Sequence, residues 1–351
     1  MVVLARFLSM SLSHAALAAH VPLAIATRGP AVESIHYGSV AVVDRSGRLL
    51  YAAGDPEALT FTRSALKPVQ ALPFVAAGGV ERFGFAPEQV ALLCASHSGE
   101  PRHVNAVSDM LTKSGSSAAD LQCGAHAPGF YEARGEIPPP PPYSPIAHNC
   151  SGKHAGMLAY CAMCDHPKGD YLQFDHPLQQ AIRKAVATFT GVPQAELVSG
   201  IDGCSAPNYA VPLARLAQAY ARLAAPDADP VYGRAPQFLA NAMTTYPEMV
   251  SGERRSDLAL MRAGRGDWVT KIGAEGVQAI GVKREGLGIA IKLADGQKRG
   301  LYPTIVAVLD ALHLIDSRAA SELESWGHPQ LRNYRGLPTG DVRGILVLDK
   351  R

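Results

Sequence analysis

The chain has 351 residues, of which 47% are hydrophobic, 18% charged and 7% aromatic, with 33 Lys and Arg against 31 Asp and Glu. At ~100–200 residues per domain this is one large domain or two lobes, with ample material for a core. Balanced charge argues against a nucleic-acid binder, and the hydrophobic share excludes a disordered chain. There is no long uncharged apolar run to suggest a membrane span, and six Cys are too sparse for a disulfide scaffold.

In chain order, residues 1–21 read as an N-terminal extension. Arg6 precedes the stretch FLSMSLSHAALAA, a weakly signal-like composition diluted by Ser9, Ser11, Ser13 and His14. The chain is therefore assigned to the cytoplasm, with secretion as the weaker alternative. From Ile35, SIHYGSVAVVDRSGRLLYAAG reads as two β segments joined by a turn at Asp44–Gly47. A helix is expected from Ser64 to about Ala77. The middle, roughly 65–265, carries helical periodicity in HPLQQAIRKAVATFTG and NYAVPLARLAQAYARLAA. Strand-like DWVTKIGAEGVQAIGVK and GLGIAIKLADG and a helical TIVAVLDALHLI follow. This order predicts an α/β fold: an antiparallel sheet flanked by helices, with a helical lobe inserted between the opening and closing strands. Residues 22–330 form the expected single domain and 331–351 a C-terminal tail. Pro138 to Pro142 should form a stiff surface connector.

Three polar groupings carry candidate chemistry. Thr62-Arg63-Ser64-Ala65-Leu66-Lys67 contains an S-x-x-K tetrad that opens a helix, so Ser64 and Lys67 share one face. An amine is a general base only when neutral, so Lys67 needs burial or a second cation nearby. Ser96-His97-Ser98 and Lys271-Ile272-Gly273 follow it in the chain. Serine hydrolases that recognise penicillin carry S-x-x-K, S-D-N and K-T-G in that order. Here Ser98 stands where their Asn would be, so the likeness is one of mechanism. In this reading Ser64 is the nucleophile, Lys67 its base, Ser96 a proton relay, and Lys271 the source of a positive field.

The third grouping is the run His148-Asn149-Cys150-Ser151-Gly152-Lys153-His154, which leads into an apolar helix that Asn149 or Ser151 could cap. Gly200-Ile201-Asp202-Gly203-Cys204 offers a second Cys. Cys150 and Cys204, with His148, His154 and Asp202, supply soft donors suited to zinc. Cys161 and Cys164 form a C-x-x-C on an apolar helix face and read as structural thiols, as does Cys94.

TRSALKP, CASHSGE, HNCSGKHAGML, DHPLQ, GIDGCSAPNYAVPL and KIGAEGVQAIGV together resemble, in order, the motifs of the Rhizobium etli-type (type II, or class 3) L-asparaginases. The likeness runs from about residue 25 to 330. It implies a fold like that of serine β-lactamases and glutaminases, and hydrolysis of L-asparagine to L-aspartate and ammonia. It implies two Ser-Lys tandems, Ser64 with Lys67 and Ser96 with Lys271. It also implies a zinc ion on Cys150, Lys153 and Cys204, beside the substrate and aiding its binding. Lys153 enters this set through the resemblance alone. Arg63, His154 and Asp202 fall in matching motifs and are expected to help hold the substrate or the metal's surroundings. A homodimer is implied as well. The alternatives are a glutaminase, a β-lactamase-like serine hydrolase, and a non-catalytic zinc-stabilised binding protein.

Overall fold

The computed structural model describes residues 18–351, so most of the signal-like segment lies outside the described residues. The chain opens with β1 (Val21–Arg28), β2 (Ala31–Val43), β3 (Leu49–Ala53) and β4 (Leu59–Phe61). Asp44 closes the β2–β3 turn, its Oδ1 accepting the backbone N–H groups of Ser46 at 2.9 Å and Arg48 at 3.1 Å. This is the Asx-type turn expected of Asp-x-Ser-Gly.

The helical block follows. It comprises α1 (Lys67–Ala76), α2 (Gly79–Phe83), α3 (Pro87–Leu93), α4 (Pro101–Lys113), α5 (Gly129–Arg134), α6 (Ser151–Met163) and α7 (Pro177–Thr190). Strands β5 (Val198–Ile201) and β6 (Pro207–Pro212) interrupt it, and α8 (Leu213–Leu223), α9 (Ala235–Thr245), α10 (Pro247–Val250) and α11 (Ser256–Ala263) complete it. The chain then returns to β7 (Trp268–Gly273), β8 (Val277–Val282) and β9 (Leu287–Leu293), with α12 (Lys298–Ala311) and α13 (Ser317–Gly327) after them. It ends in β10 (Gln330–Arg332), β11 (Pro338–Gly344) and β12 (Asp349–Lys350).

The main sheet runs β10-β11-β1-β2-β9-β8-β7, with β3 pairing β2 and β12; its ladders are antiparallel. Strands from before and after the helical block meet at its centre, where β2 pairs β9 from Gly38↔Leu293 to Val43↔Gly288. The helical lobe is inserted between them, and the α/β architecture is the one the element order predicts. A second sheet, β4-β6-β5, sits within the lobe. Among the described residues no helix is long and apolar enough to cross a membrane.

Both faces of the main sheet are covered, and the two-residue period of a strand distributes β2 between two cores. Ala41 and Val43 face the helical lobe with Leu66, Leu72 and Ala290. Val40 and Val42 face α12 with Ile291, Leu301 and Leu309. On the lobe side α8 lies directly on β8 and β9. A Cβ on Gly288 would meet the Ala217 carbonyl oxygen at 1.9 Å, and one on Gly281 the Tyr220 carbonyl oxygen at 2.5 Å.

Two expectations are corrected. Residues 331–351 are not a free tail: β11 pairs β1 (Ala26↔Val342) and β12 pairs β3 (Asp349↔Ala52). In PTGDVRG only Val342 is fully buried, so no apolar run reveals the strand. NYAVPLARLAQAYARLAA is helical only from Leu213, because its first residues fill the space between β4 and β5 as β6.

Gly288→Ala should force α8 off the sheet and cost about 2–3 kcal/mol in a urea unfolding experiment. An unchanged midpoint would refute this close packing.

Candidate active site

The chain leaves β4 through Thr62, whose N–H and hydroxyl both donate to the Tyr209 carbonyl, at 3.0 and 2.9 Å. It then enters a 3-10 turn, Arg63–Leu66, that carries Ser64. Arg63 sits at φ +48°, unusual for a non-glycine residue. The buried amide of Asn208 grips it from both sides: the Arg63 N–H donates to Asn208 Oδ1 at 3.0 Å, and Asn208 Nδ2 donates to the Arg63 carbonyl at 3.1 Å. Tyr220 adds a 2.7 Å bond from its hydroxyl to the Ala65 carbonyl. Strained backbone persists where the surroundings over-determine it, and this one places the half-buried Ser64 at the start of a turn whose first N–H groups lack helical partners.

Lys67 is 1% exposed. Its amine donates to Ser96 Oγ at 2.9 Å and to the Ala95 carbonyl at 2.5 Å. The expected bond from Lys67 to Ser64 is therefore replaced by one to the second serine. Ser96 is itself tied to the end of α10 by its N–H, which donates to the Val250 carbonyl at 2.8 Å. Lys271, on the buried edge strand β7, donates to Asp257 Oδ2 at 3.2 Å and to the Ile272 carbonyl at 2.8 Å. Ser96 and Lys271 are not hydrogen-bonded. Burial pushes the Lys271 amine down to about 8; Asp257 opposes the shift and the nearby charge of Lys67 adds to it.

Asp257 was not legible as a site residue. In GERRSDLALM it looks like an ordinary acid in the first turn of a helix. Its complete burial appears only when α11 packs on β7.

The second cluster stands at the N-terminus of α6, which approaches the end of α3 so closely that a Cβ on Gly152 would meet the Leu92 carbonyl oxygen at 2.5 Å. Lys153 Nζ donates to Cys204 Sγ at 2.9 Å, and the Cys150 thiol donates to the same sulfur. That donation, then Lys153 and His154, hold the Cys204 thiol far below its ordinary range despite burial. Cys150, giving up its hydrogen bond to that thiolate in a buried place, is pushed well above its own. Burial favours a neutral Lys153, but the two sulfurs outweigh it and hold the amine above its ordinary value. The His154 ring meets the Tyr171 hydroxyl through Nδ1 at 2.7 Å, and burial pushes it down to about 4. Its buried Nε2 is left without a hydrogen bond of full geometry, beside Cys204. Neither Asn149 nor Ser151 caps α6: Cys150 is the cap residue, and the Ser151 hydroxyl donates instead to the Ile146 carbonyl.

Two sulfurs, an amine and an orphaned imidazole nitrogen thus converge in one buried place, and that donor set fits the N and S preference of zinc. Among the described residues no group of three or more His, Cys, Asp and Glu is arranged to hold a metal. Asp202 Oδ1 accepts from Arg63 Nε at 2.8 Å, joining the two clusters at the rim of a cleft of about 400 Å³ also lined by Leu59, Phe61, Ile201 and Lys292. Of the other thiols, Cys94 and Cys161 are buried, each pushed up to about 12 by burial.

A family model described as L-asparaginase II matches residues 24–344. Two solved structures are similar in fold. A protein from Bacteroides dorei DSM 17855 described as a candidate beta-lactamase is 13% identical with a TM-score of 0.41; the match covers 78% of this chain and 93% of that one. Mglu, in its native form in the presence of 4.3 M NaCl, is 17% identical with a TM-score of 0.36; the match covers 80% of this chain and 62% of that one. No curated protein matches.

Asn208→Ala should release the Arg63 backbone, cost about 1–3 kcal/mol of stability for the buried groups left unpaired, and displace Ser64. Denaturation and turnover measured together check this; full stability with full turnover would refute the clamp.

Proposed function

Since the chain belongs to the L-asparaginase II family, an asparaginase-type group of amidohydrolases, we propose that it hydrolyses L-asparagine to L-aspartate and ammonia (the reaction of EC 3.5.1.1) with Ser64 as nucleophile. The observation that carries the chemistry is the buried hydrogen bond of 2.9 Å between Lys67 Nζ and Ser96 Oγ, one turn of helix from Ser64.

L-asparagine enters with its side-chain amide at Ser64. The Lys67 amine, which acts as a base only in its neutral form, takes the hydroxyl proton as the Ser64 oxygen bonds to the amide carbon. The Ser64 N–H, free of a helical partner, and an N–H from the β7 side stabilise the oxyanion. The proton then passes from Lys67 through Ser96 to the departing nitrogen, the C–N bond breaks, and ammonia leaves. Water attacks the β-aspartyl ester, gives its proton to Lys67, and releases L-aspartate with the serine hydroxyl restored. The substrate's α-carboxylate and α-ammonium are of opposite sign, as are Arg63 and Asp202, the ion pair at the mouth of the cleft.

Cys150, Lys153 and Cys204 are the residues that would hold zinc, with His154 beside them. A zinc ion there would supply a Lewis-acidic anchor for the substrate's polar end. Lys153 and Cys150 both carry protons as the cluster stands, so metal uptake would release them and weaken in acid. The chain acts as a homodimer on a small zwitterion, with no nucleic-acid or membrane partner, in the cytoplasm.

Ser64→Ala should lower ammonia release from L-asparagine to below about one-thousandth of wild type without unfolding the protein. Activity within tenfold of wild type would remove Ser64 as nucleophile. Assayed in parallel, L-glutamine should be the poorer substrate. Cys150→Ala should lose zinc by elemental analysis of protein purified with the metal; full retention would take Cys150 out of the cluster.

A further inference from the structure

The carboxylate of Asp257 is completely buried, and four donors converge on it. Oδ1 accepts from Thr270 Oγ1 at 3.1 Å and Gln278 Nε2 at 3.2 Å; Oδ2 accepts from the Ile272 N–H at 3.0 Å and Lys271 Nζ at 3.2 Å. A buried carboxylate on a structural helix needs only enough partners to satisfy it. This one spends an oxygen on the amine of Lys271, which is equally buried and has no other charged partner within ion-pair distance among the described residues. An ammonium has three N–H groups. Asp257 and the Ile272 carbonyl take two, so the third has one direction left open to it.

Resting on the amidohydrolase reading above, we propose that Asp257 is a positioning residue for the reaction: it fixes the orientation and charge of Lys271 and leaves one N–H of that amine for the reacting groups. The groups that face Lys271 are few. Asp257 and Arg255 come from the start of α11, Lys67 from α1 and the Cys94 thiol from the end of α3. Asp257 is the one anion in this set. Burial would raise its own carboxyl, but the charge of Lys271 and the hydrogen bonds from the Ile272 N–H and Gln278 keep it below its ordinary value, so it stays ionised. It thereby opposes burial and the charges of Lys67 and Arg255, which drive the proton off Lys271. The Lys271 amine loses its proton near pH 8, and activity that needs the positive field falls above that pH.

The test is the pH profile of kcat for ammonia release in wild type, Asp257→Asn and Thr270→Val. Asp257→Asn keeps the shape and removes the charge. Its kcat should fall at least about tenfold with KM within about threefold, and the alkaline limb should move down by about one pH unit or more. Thr270→Val takes one donor from the carboxylate and leaves Lys271 untouched. The less satisfied anion should hold the Lys271 proton more firmly and move the limb slightly upward, a displacement opposite in sign. A purely structural Asp257 would lower stability and leave the limb in place. A folded Asp257→Asn with an unmoved limb therefore overturns the proposal; if that variant does not fold, an unmoved limb in Thr270→Val does so. Wild-type turnover is measured first. A wild type inactive on L-asparagine and L-glutamine overturns the amidohydrolase reading and this role with it, whereas an active wild type with unmoved variants overturns the role alone.

Discussion

Two lysine amines buried in one core are the constraint on which the rest of this structure depends. Lys67 and Lys271 are 1% and 0% exposed. An isolated buried ammonium costs many kcal/mol, and breaking a buried pair by removing one partner costs about 3–5 kcal/mol. The fold must therefore bring acceptors to both. The Ala95–Ser96 loop serves Lys67, which fixes where α3 ends and how it meets α10. Asp257 serves Lys271, which fixes the register of α11 on β7.

The thiol cluster solves the same problem with different atoms. Lys153 is buried against a sulfur anion rather than a carboxylate, and Cys150 and His154 share the charge of Cys204. Three buried lysines, two in the helical lobe and one on the main sheet, thus each have their own partner: a hydroxyl, a carboxylate and a thiolate. Such a group of buried lysine amines is hard to explain as packing, since apolar residues of similar volume would fill the same space at lower cost.

How much of this was legible in the sequence depends on whether the signal was local. Ser64, Lys67 and Cys150 announce themselves because each lies in a short run whose spacing is set by one turn or helix, whereas Lys153 is named by the family resemblance alone. The insertion of a helical lobe between opening and closing strands was readable from the change of period, two to 3.6 and back. Partnerships were not readable. S-x-x-K spacing suggested that Lys67 bonds Ser64, yet tertiary packing turns the amine to Ser96, 29 residues away. Asp257 and Asn208 carry no motif, and their roles come from contacts across 14 and 145 residues. β11 was hidden because a strand that buries one Val leaves no apolar run to see.

In the proposed reaction Ser64, served by the buried lysine pair, carries the acyl group. Rapid acid quench during turnover of L-asparagine, followed by peptide mass mapping, tests it most directly. A β-aspartyl adduct is expected on the peptide bearing Ser64 and none on the peptide bearing Ser96. An adduct on Ser96, or product formation under rate-limiting deacylation with neither serine modified, would contradict it.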